Sequence, residues 1–525
     1  MAKKKKLVTL ISPYGYDDLG LRQVHAFLKS KKVEVKLIFF KDWIHWYSFR
    51  QIICGFKKPL DKEMDELVEL VKGSDLVGIS VVSTLYKVAK QITEKIQKEL
   101  GTKVIWGGSH AIVNPEECIK TADYVCIGEG ENTLYQLSKG EPLNKIENLW
   151  YKRKGKVVKN KRGKLVNVEK MPNLDYSNKE KYIIDFTCSK QERMDYISDE
   201  RYKINNKGVG NFDPMNINPH LTYMTSRGCP FTCDFCSNNI FRKLYKGCGP
   251  FLRRKSVNKV IEELKEIIKY RKRVDAIIFL DDLFLTDIEW IKKFSKRYRK
   301  EINLPFVVEA FPNSINEENI SALSKAGLIG ASVGIQHWKG VRENLFNRFT
   351  PDKQIFKADR ILHKYGVKPK YDFVVDIPGE TENDKEELLN LILKLKRPFE
   401  LNLFSAIHFP GTDLTKKLLG RGLISEKDIE GEAMIGDGFS VDIKVKEKRD
   451  LYKSLILVYT HLGIRPSIIK KLYNNKIDPW RLLYLIDFSE RVKYSFYDLL
   501  KIFELYYPLR KIYRKKRLEK KELIR

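Results

Sequence analysis

Two separate stretches of this chain alternate short apolar runs with longer amphipathic segments, and that alternation leaves few folds open. A short apolar run reads as a strand, and a segment with apolar residues every three or four positions reads as a helix. Repeated in order, the two place parallel strands in one sheet with helices packed on its faces. In the first stretch strands are expected at 7–12, 33–40, 75–80, 103–106 and 122–127, with helices at 21–30 and 86–100. Glycines punctuate the strand ends, as Gly107-Gly108 and Gly128-Glu129-Gly130-Glu131. Doubly wound sheets bind ligands beyond the carboxyl ends of their strands, and glycine there lets backbone approach a bulky group. Residues 1–145 are therefore expected to form a Rossmann-like α/β domain.

From Leu221 the alternation resumes. Strands are expected at 276–280, 306–310, 331–335, 371–375 and 401–407, separated by helices at 257–270, 289–300, 317–326, 353–365 and 382–395. Five or six such units imply a full or partial parallel barrel over residues 216–430. Residues 146–215 read as a linker region, with a hairpin at 148–158 turning near Lys154-Gly155 and an aperiodic charged segment at 187–212. Residues 431–525 read as a mainly helical, basic region, whose last 25 positions hold ten Lys and Arg against three Glu.

Bulk composition narrows the class. A length of 525 residues suits several domains, and 43% hydrophobic content suffices for their cores. No apolar run reaches the ~18–20 residues that span a bilayer, and the Lys-rich start makes a poor signal peptide. A cytoplasmic protein is expected, at most attached to a membrane surface. Ninety-eight Lys and Arg against 68 Asp and Glu give a net charge of +30, which favours polyanions, anionic headgroups or acidic substrates. The same excess suits a Lys-rich composition with no partner behind it.

Eight cysteines do not make a disulfide framework here, because three crowd into Cys229-Pro-Phe-Thr-Cys233-Asp-Phe-Cys236. Thiolates so spaced select zinc or an iron–sulfur cluster. Closed structural zinc needs a fourth ligand, which Cys248 could supply. A 4Fe–4S cluster on three cysteines instead leaves one iron open to a substrate.

This segment resembles the signature of the radical S-adenosylmethionine superfamily, Cys-x3-Cys-x-aromatic-Cys, with Phe235 in the aromatic place. The resemblance implies a cluster on Cys229, Cys233 and Cys236 whose open iron chelates S-adenosylmethionine, which one electron then cleaves to a 5′-deoxyadenosyl radical. It further implies that Phe235 packs beside the adenine and that Asp281, in Asp281-Asp282, meets the methionyl amine. Glu309 would accept from the ribose, and Gln336 would bond the nucleoside or carboxylate. Each residue also has a plain structural reading, as a core aromatic, a cap or a turn.

The first 140 residues resemble the cobalamin-binding domain that precedes the barrel in the class B branch of that superfamily. The matching residues are Gly78-Ile-Ser80 with Ser83, Gly107-Gly-Ser-His110, Pro115-Glu-Glu117 and Gly128-Glu-Gly-Glu131. The resemblance implies cobalamin contacts from Ser80, Ser83, Gly107, Gly108, Gly128, Glu129 and Gly130. Other cobalamin domains carry Asp-x-His-x-x-Gly after the first strand, and the loop here, Tyr16-Asp-Asp-Leu-Gly20, does not. His110 is then expected as a hydrogen-bonding group and His25 as a packing residue. The domain could also persist as a scaffold without cobalamin.

The resemblance implies radical methylation of an unactivated carbon from methylcobalamin, on a small-molecule or lipid-like substrate, with electrons from an external donor. A cyclase or rearrangement reaction is the near alternative, and RNA modification a remoter one. No recognisable RNA-binding module is present, so nucleic acid is not expected as a partner. Aromatic and basic residues from Tyr494 to Arg517 could face an anionic membrane. The sequence assigns no general base.

Overall fold

The computed structural model describes residues 6–15, 18–40, 61–184, 209–210, 220–271, 273–429 and 450–479. The chain divides into two compact units. One comprises Met1–Asp42, Pro59–Phe186 and Asp199–Lys448, and the other Trp43–Lys58, Thr187–Ser198 and Arg449–Arg525.

The first unit holds two large sheets. Strands β1 (Leu7–Pro13), β2 (Glu34–Phe40), β3 (Leu76–Ser80), β4 (Lys103–Gly107) and β5 (Tyr124–Cys126) are parallel, in the order β5-β4-β3-β1-β2. β1 is buried almost throughout, as a central parallel strand covered on both faces must be. Its neighbours β3 and β2 diverge in chain order, so the topological switch point lies between β1 and β3. Helix Leu19–Ser30 starts where Asp18 accepts from the Leu21 amide at 2.8 Å. Helices Tyr86–Leu100 and Gly130–Lys139 stop at the left-handed glycines Gly101 and Gly140. Trp106 is wholly buried and donates its indole N–H to Thr93 Oγ1 at 2.8 Å.

The expected linker at 146–215 needs correction. Its hairpin forms, with β6 (Leu149–Arg153) and β7 (Lys156–Lys159) meeting at Lys154 and Gly155, both at positive φ. It pairs antiparallel with β5, and β8 (Lys181–Ile184) pairs parallel with β2. β9 (Val209–Gly210) then pairs antiparallel with β8. These strands cover the backbone groups that β5 and β2 would leave bare at the sheet edges. Among the described residues the first sheet thus has nine strands, and it runs well past residue 145. Most of the charged segment at 187–212 lies outside the described residues.

The second sheet is parallel throughout and follows chain order: β10 (His220–Tyr223), β13 (Ala276–Phe279), β14 (Phe306–Ala310), β15 (Leu328–Gln336), β16 (Lys368–Val375) and β17 (Glu400–Ser405). Among the described residues these six strands form an open sheet, a partial barrel. β11 (Ser226–Arg227) and β12 (Arg253–Arg254) form a separate antiparallel ribbon. Along β16 buried Pro369, Tyr371, Phe373 and Val375 alternate with half-buried Lys370, Asp372 and Val374, so one face is apolar core and the other polar. The intervening helices begin at side-chain caps, among them Ser256, Asp287, Asn316 and Thr381.

In the second unit the described part is a helix pair, Leu451–Leu462 and Pro466–Asn474, separated by left-handed Gly463. Of the expected 431–525 region, residues 431–449 and 480–525, which include the aromatic-basic tail, lie outside the described residues. Among the described residues no helix is long and apolar enough to cross a membrane.

Candidate functional site

The cysteine segment leaves the first barrel strand through a tightly held turn. Gly228 takes φ +89°, and a Cβ there would run into the carbonyl oxygen of Phe251. Cys229, Cys233 and Cys236 follow, and helix Ser237–Leu244 starts directly after Cys236. The Cys236 amide donates to the Cys233 carbonyl at 3.1 Å. Asp234 ties the loop to two other segments: its amide donates to Phe346 O at 2.9 Å, and its carbonyl accepts from Leu414 N at 2.9 Å. The loop is therefore positioned by the far end of the barrel as well as by its own strand.

The three thiols lie within electrostatic reach of one another, and burial pushes Cys229 upward and Cys236 to about 11. Metal ligation must displace those protons. Cys248 sits at the opposite end of helix Ser237–Leu244, where its amide donates to Tyr245 O at 3.0 Å and its carbonyl accepts from Leu165 N at 2.8 Å. A helix of that length spans ~12 Å, so Cys248 cannot complete a zinc site with the trio. Among the described residues no three His, Cys, Asp or Glu side chains close around a single-ion site. The trio suits separate irons of a cluster.

The other expected barrel contacts separate into two kinds. Phe235 packs on Phe346, with ring centroids 4.9 Å apart, and on the buried Val341, Ile377, Leu414 and Leu418. Its structural role under the loop is therefore established. Asp281 is wholly buried, and its carboxylate accepts from Thr225 N at 3.0 and 3.1 Å, from Thr225 Oγ1 at 2.7 Å and from Ser226 Oγ. It anchors the turn before the cysteines, in place of the expected methionyl contact. Its neighbour Asp282 remains accessible and accepts from Asn238 Nδ2 at 2.8 Å.

Glu309, on the polar face of β14, is pushed up to about 7 by burial and by nearby Asp372, with Ser332 opposing. Ser332 also donates to Asp372 Oδ2 at 2.9 Å, and Asn402 donates to Asp372 Oδ1 at 2.7 Å, so polar groups run across four strands. Gln336 ends β15 at φ +76°, folded back over Gly334, where the β15–β16 register shifts. That backbone is costly for a non-glycine residue.

The expected cobalamin residues fall at the carboxyl ends of β3, β4 and β5. Ser80 pairs in register with Gly107, and the Val81 amide donates to Gly107 O at 2.8 Å. Gly108 lies at φ +92° and ψ −179°, a region held almost only by glycine, and a Cβ there would stand 2.7 Å from Val81 O. A Cβ on Gly107 would meet nothing nearer than 3.9 Å, so this loop presents open backbone. Ser83 Oγ lies 3.0 Å from His110 Nδ1, and buried His110 Nε2 faces Glu117 Oε2 at 3.6 Å. These features fit a group received by backbone and small side chains.

Gly128 and Glu129 differ from expectation. A Cβ on Gly128 would strike the Asn148 side chain, so protein packing already explains that glycine. Glu129 accepts from Arg227 Nη1 at 2.8 Å, Arg253 at 2.9 and 3.0 Å, and Val166 N at 2.7 Å. Burial works to raise its carboxyl, but the two arginines and the amide hold it below the usual range. Its oxygens are spent within the protein. Gly130 begins helix Gly130–Lys139, and Arg227 Nη2 also reaches Glu131 at 2.8 Å. Arg227 stands two residues before Cys229, so this network joins the Gly-Glu-Gly-Glu loop of the first sheet to the cysteine turn. Sequence reading missed Arg227, Arg253 and Arg348. The first adjoins the motif, whereas Arg348, donating to Cys233 Sγ at 3.2 Å, lies 115 positions away.

Comparison with known proteins agrees with this geometry. Residues 223–392 match the radical SAM superfamily, and residues 6–138 match the B12 binding domain. An uncharacterised methyltransferase of Pyrococcus horikoshii is 27% identical over 441 residues, covering 80% of this chain and 85% of the relative. The radical S-adenosylmethionine methyltransferase TsrM of Kitasatospora setae, solved with cobalamin and a 4Fe–4S cluster, superposes with a TM-score of 0.58 at 16% identity, over 79% of this chain and 75% of that one. The cobalamin-dependent S-adenosylmethionine radical enzyme OxsB gives 0.61 at 15% identity, over 96% and 76%. Those likenesses show the fold. The matched domains set the cofactors: a 4Fe–4S cluster and S-adenosylmethionine for the barrel, and cobalamin for the first sheet. The chain carries a radical S-adenosylmethionine domain, with a B12-binding domain ahead of it.

Proposed function

We propose that this enzyme methylates an unactivated carbon of a small-molecule or lipid-like substrate. The observation that carries the reading is the ion-pair network from Glu129 and Glu131 to Arg227, which ties the loops of both cofactor sites into one assembly. Two sites serving one substrate carbon need such a link, because reacting groups must be held close together. Bound there, the cluster supplies the electron that cleaves S-adenosylmethionine, and cobalamin supplies a transferable methyl group.

The chain's own residues hold and shape the site. Cys229, Cys233 and Cys236 hold the cluster, while Asp281 fixes the turn that presents them. Asp282 and Glu309 place carboxyl groups by the barrel strand ends, and Glu309, near 7, can hold or release a proton at neutral pH. Gly107 and Gly108 offer bare backbone to the corrin, beside the Ser83 hydroxyl. Electrons come from an external donor, and the basic tail from Tyr494 onward would attach a cytoplasmic enzyme to anionic lipid.

Anaerobic turnover with methyl-labelled S-adenosylmethionine and candidate substrates tests the reading. It expects label in the product and 5′-deoxyadenosine released alongside. An altered product free of label would replace it with the cyclase or rearrangement reading. Flotation on phosphatidylserine vesicles of the full chain and of one ending at Tyr494 tests the lipid contact. Equal recovery in the unbound fraction would end it.

A further inference from the structure

An electron must reach the cysteine trio from outside, and a net charge of +30 leaves several basic surfaces on which its carrier could land. The densest basic run is the β6–β7 hairpin and its continuation, with eight Lys and Arg from Lys152 to Lys164 and no acid among them. Its tip, where Arg153 pairs with Lys156, lies beyond Tyr124 at the amino end of β5. Ligands of such a sheet sit beyond the carboxyl ends of its strands. That tip has the charge but not the place.

A second basic surface lies directly on the cysteine loop. Thr232 is exposed, and the chain runs from it straight into buried Cys233, ~3.8 Å on between Cα atoms. Asp234 follows; its buried carboxylate meets Lys417 at 2.5 Å, and its carbonyl accepts from Leu414 N at 2.9 Å. Both partners belong to helix Asp413–Gly420, which therefore connects the loop to solvent. Lys416 and Arg421 are exposed, and among the described residues neither has a carboxylate within ion-pair distance. Lys243, near the end of the helix that starts after Cys236, pairs with Asp413 and stays exposed. Helical spacing groups these charges, since Lys417 and Arg421 stand one turn apart and Lys416 one turn from Asp413. Four cations thus lie on segments bonded to the cysteine loop, against two acids that Lys417 and Lys243 already neutralise.

We infer that this surface, built from Thr232, Lys243, Lys416, Lys417 and Arg421, is the docking site of the external electron donor, an acidic carrier protein with a low-potential flavin or iron–sulfur group. The inference rests on Cys229, Cys233 and Cys236 as cluster ligands, and not on which carbon is methylated. Electron transfer falls steeply with distance, so a donor gains most by meeting the loop where its backbone reaches solvent. Such exchange needs only a small, short-lived interface, and opposite charge speeds the encounter. In the step concerned the donor loses one electron and the cluster gains it, and no bond forms or breaks.

The test loads the full-length chain with its cluster anaerobically and follows cluster bleaching in stopped flow. Two reductants are compared: a reduced acidic flavodoxin, and reduced methyl viologen, a small molecule that needs no docking. The double variant Lys416→Glu/Arg421→Glu leaves both ion pairs beside the loop in place. Its bleaching rate with subsaturating flavodoxin should fall on the order of tenfold, and added salt should narrow the gap. Its viologen rate should stay at the wild-type level. Arg153→Glu/Lys156→Glu, at the hairpin tip, makes the same change in charge and should lose far less with flavodoxin. Anisotropy of labelled oxidised flavodoxin on the cluster-free chain should rank the affinities in the same order. Equal losses in the two double variants overturn the proposal, leaving only the attraction of a basic protein for an acidic one. So does a loss shared by viologen, which would place the change in the cluster's own surroundings. A Lys416→Glu/Arg421→Glu chain that loses affinity for an RNA oligonucleotide yet keeps the flavodoxin rate would make the surface a nucleic-acid contact instead. A wild-type chain that loads no cluster refutes the ligand assignment rather than the docking surface.

Discussion

The two sheets of the first unit offer opposite kinds of surface at their strand ends. The barrel presents side chains: three thiols on one loop, an acid network across its strands, and an arginine aimed at a sulfur. The first sheet presents backbone, with Gly107 open and Gly108 in a conformation that other residues resist. Side-chain sites are specified by residue type and spacing, whereas backbone sites are specified by what is missing. The first kind tolerates backbone adjustment but no change of ligand, and the second reverses that sensitivity.

The sharpest way to separate the two is to replace Cys229, Cys233 or Cys236 singly with Ser. Each change should abolish iron loading to cluster stoichiometry and 5′-deoxyadenosine formation, while cobalamin absorbance stays at the wild-type level. Concomitant loss of cobalamin would mean that the halves do not bind independently. Next in size is Glu129→Ala, which leaves Arg253 without its carboxylate in partly buried surroundings and Arg227 with Glu131 alone. Breaking a buried ion pair from one side costs ~3–5 kcal/mol, so urea denaturation should show a markedly lower midpoint. Dipolar broadening between reduced cluster and cob(II)alamin should weaken as well, because this network links their loops.

Gly108→Ala should cost up to about 3 kcal/mol from backbone strain, and it should lower cobalamin retention on gel filtration while leaving iron content intact. Equal loss of both cofactors would show that the change acts on folding alone. The smallest expected effect concerns pH. Burial among the first-sheet elements, with Lys181 adding to it, lowers His25 from 6.5 to about 3, and neither ring nitrogen has a hydrogen-bond partner. The folded state keeps His25 neutral while the unfolded chain takes up a proton below 6.5, so stability is lost as pH falls from 6.5 toward 3. At pH 5 the loss is about 2 kcal/mol. His25→Leu should flatten that slope between pH 7 and 5, and an unchanged slope would place the sensitivity elsewhere.

The same contrast explains what could be read in the sequence. The cysteine spacing and the repeated strand–helix alternation were legible because each depends on nearby residues. The strands of both sheets accordingly fall close to where periodicity places them, 306–310 without change. The reach of the first sheet was not legible, because β8 joins β2 across some 140 residues and its four positions carry no period of their own. Site roles were misread where a residue's partner is remote. Asp281 and Glu129 looked like ligand acids, yet Asp281 is used by Thr225 and Ser226, and Glu129 by Arg227 and Arg253. Arg348 carried no signal at all, since only the fold brings it to Cys233.

The central claim is that one chain holds a cluster and a corrinoid for a single radical reaction. It is tested most directly by anaerobic reconstitution with iron, sulfide and hydroxocobalamin, followed by metal counting and assay of S-adenosylmethionine cleavage under a low-potential reductant. The account predicts about four irons and about one cobalt per chain, with 5′-deoxyadenosine formed. Stoichiometric zinc in anaerobically purified protein, with no deoxyadenosine formed, would contradict it.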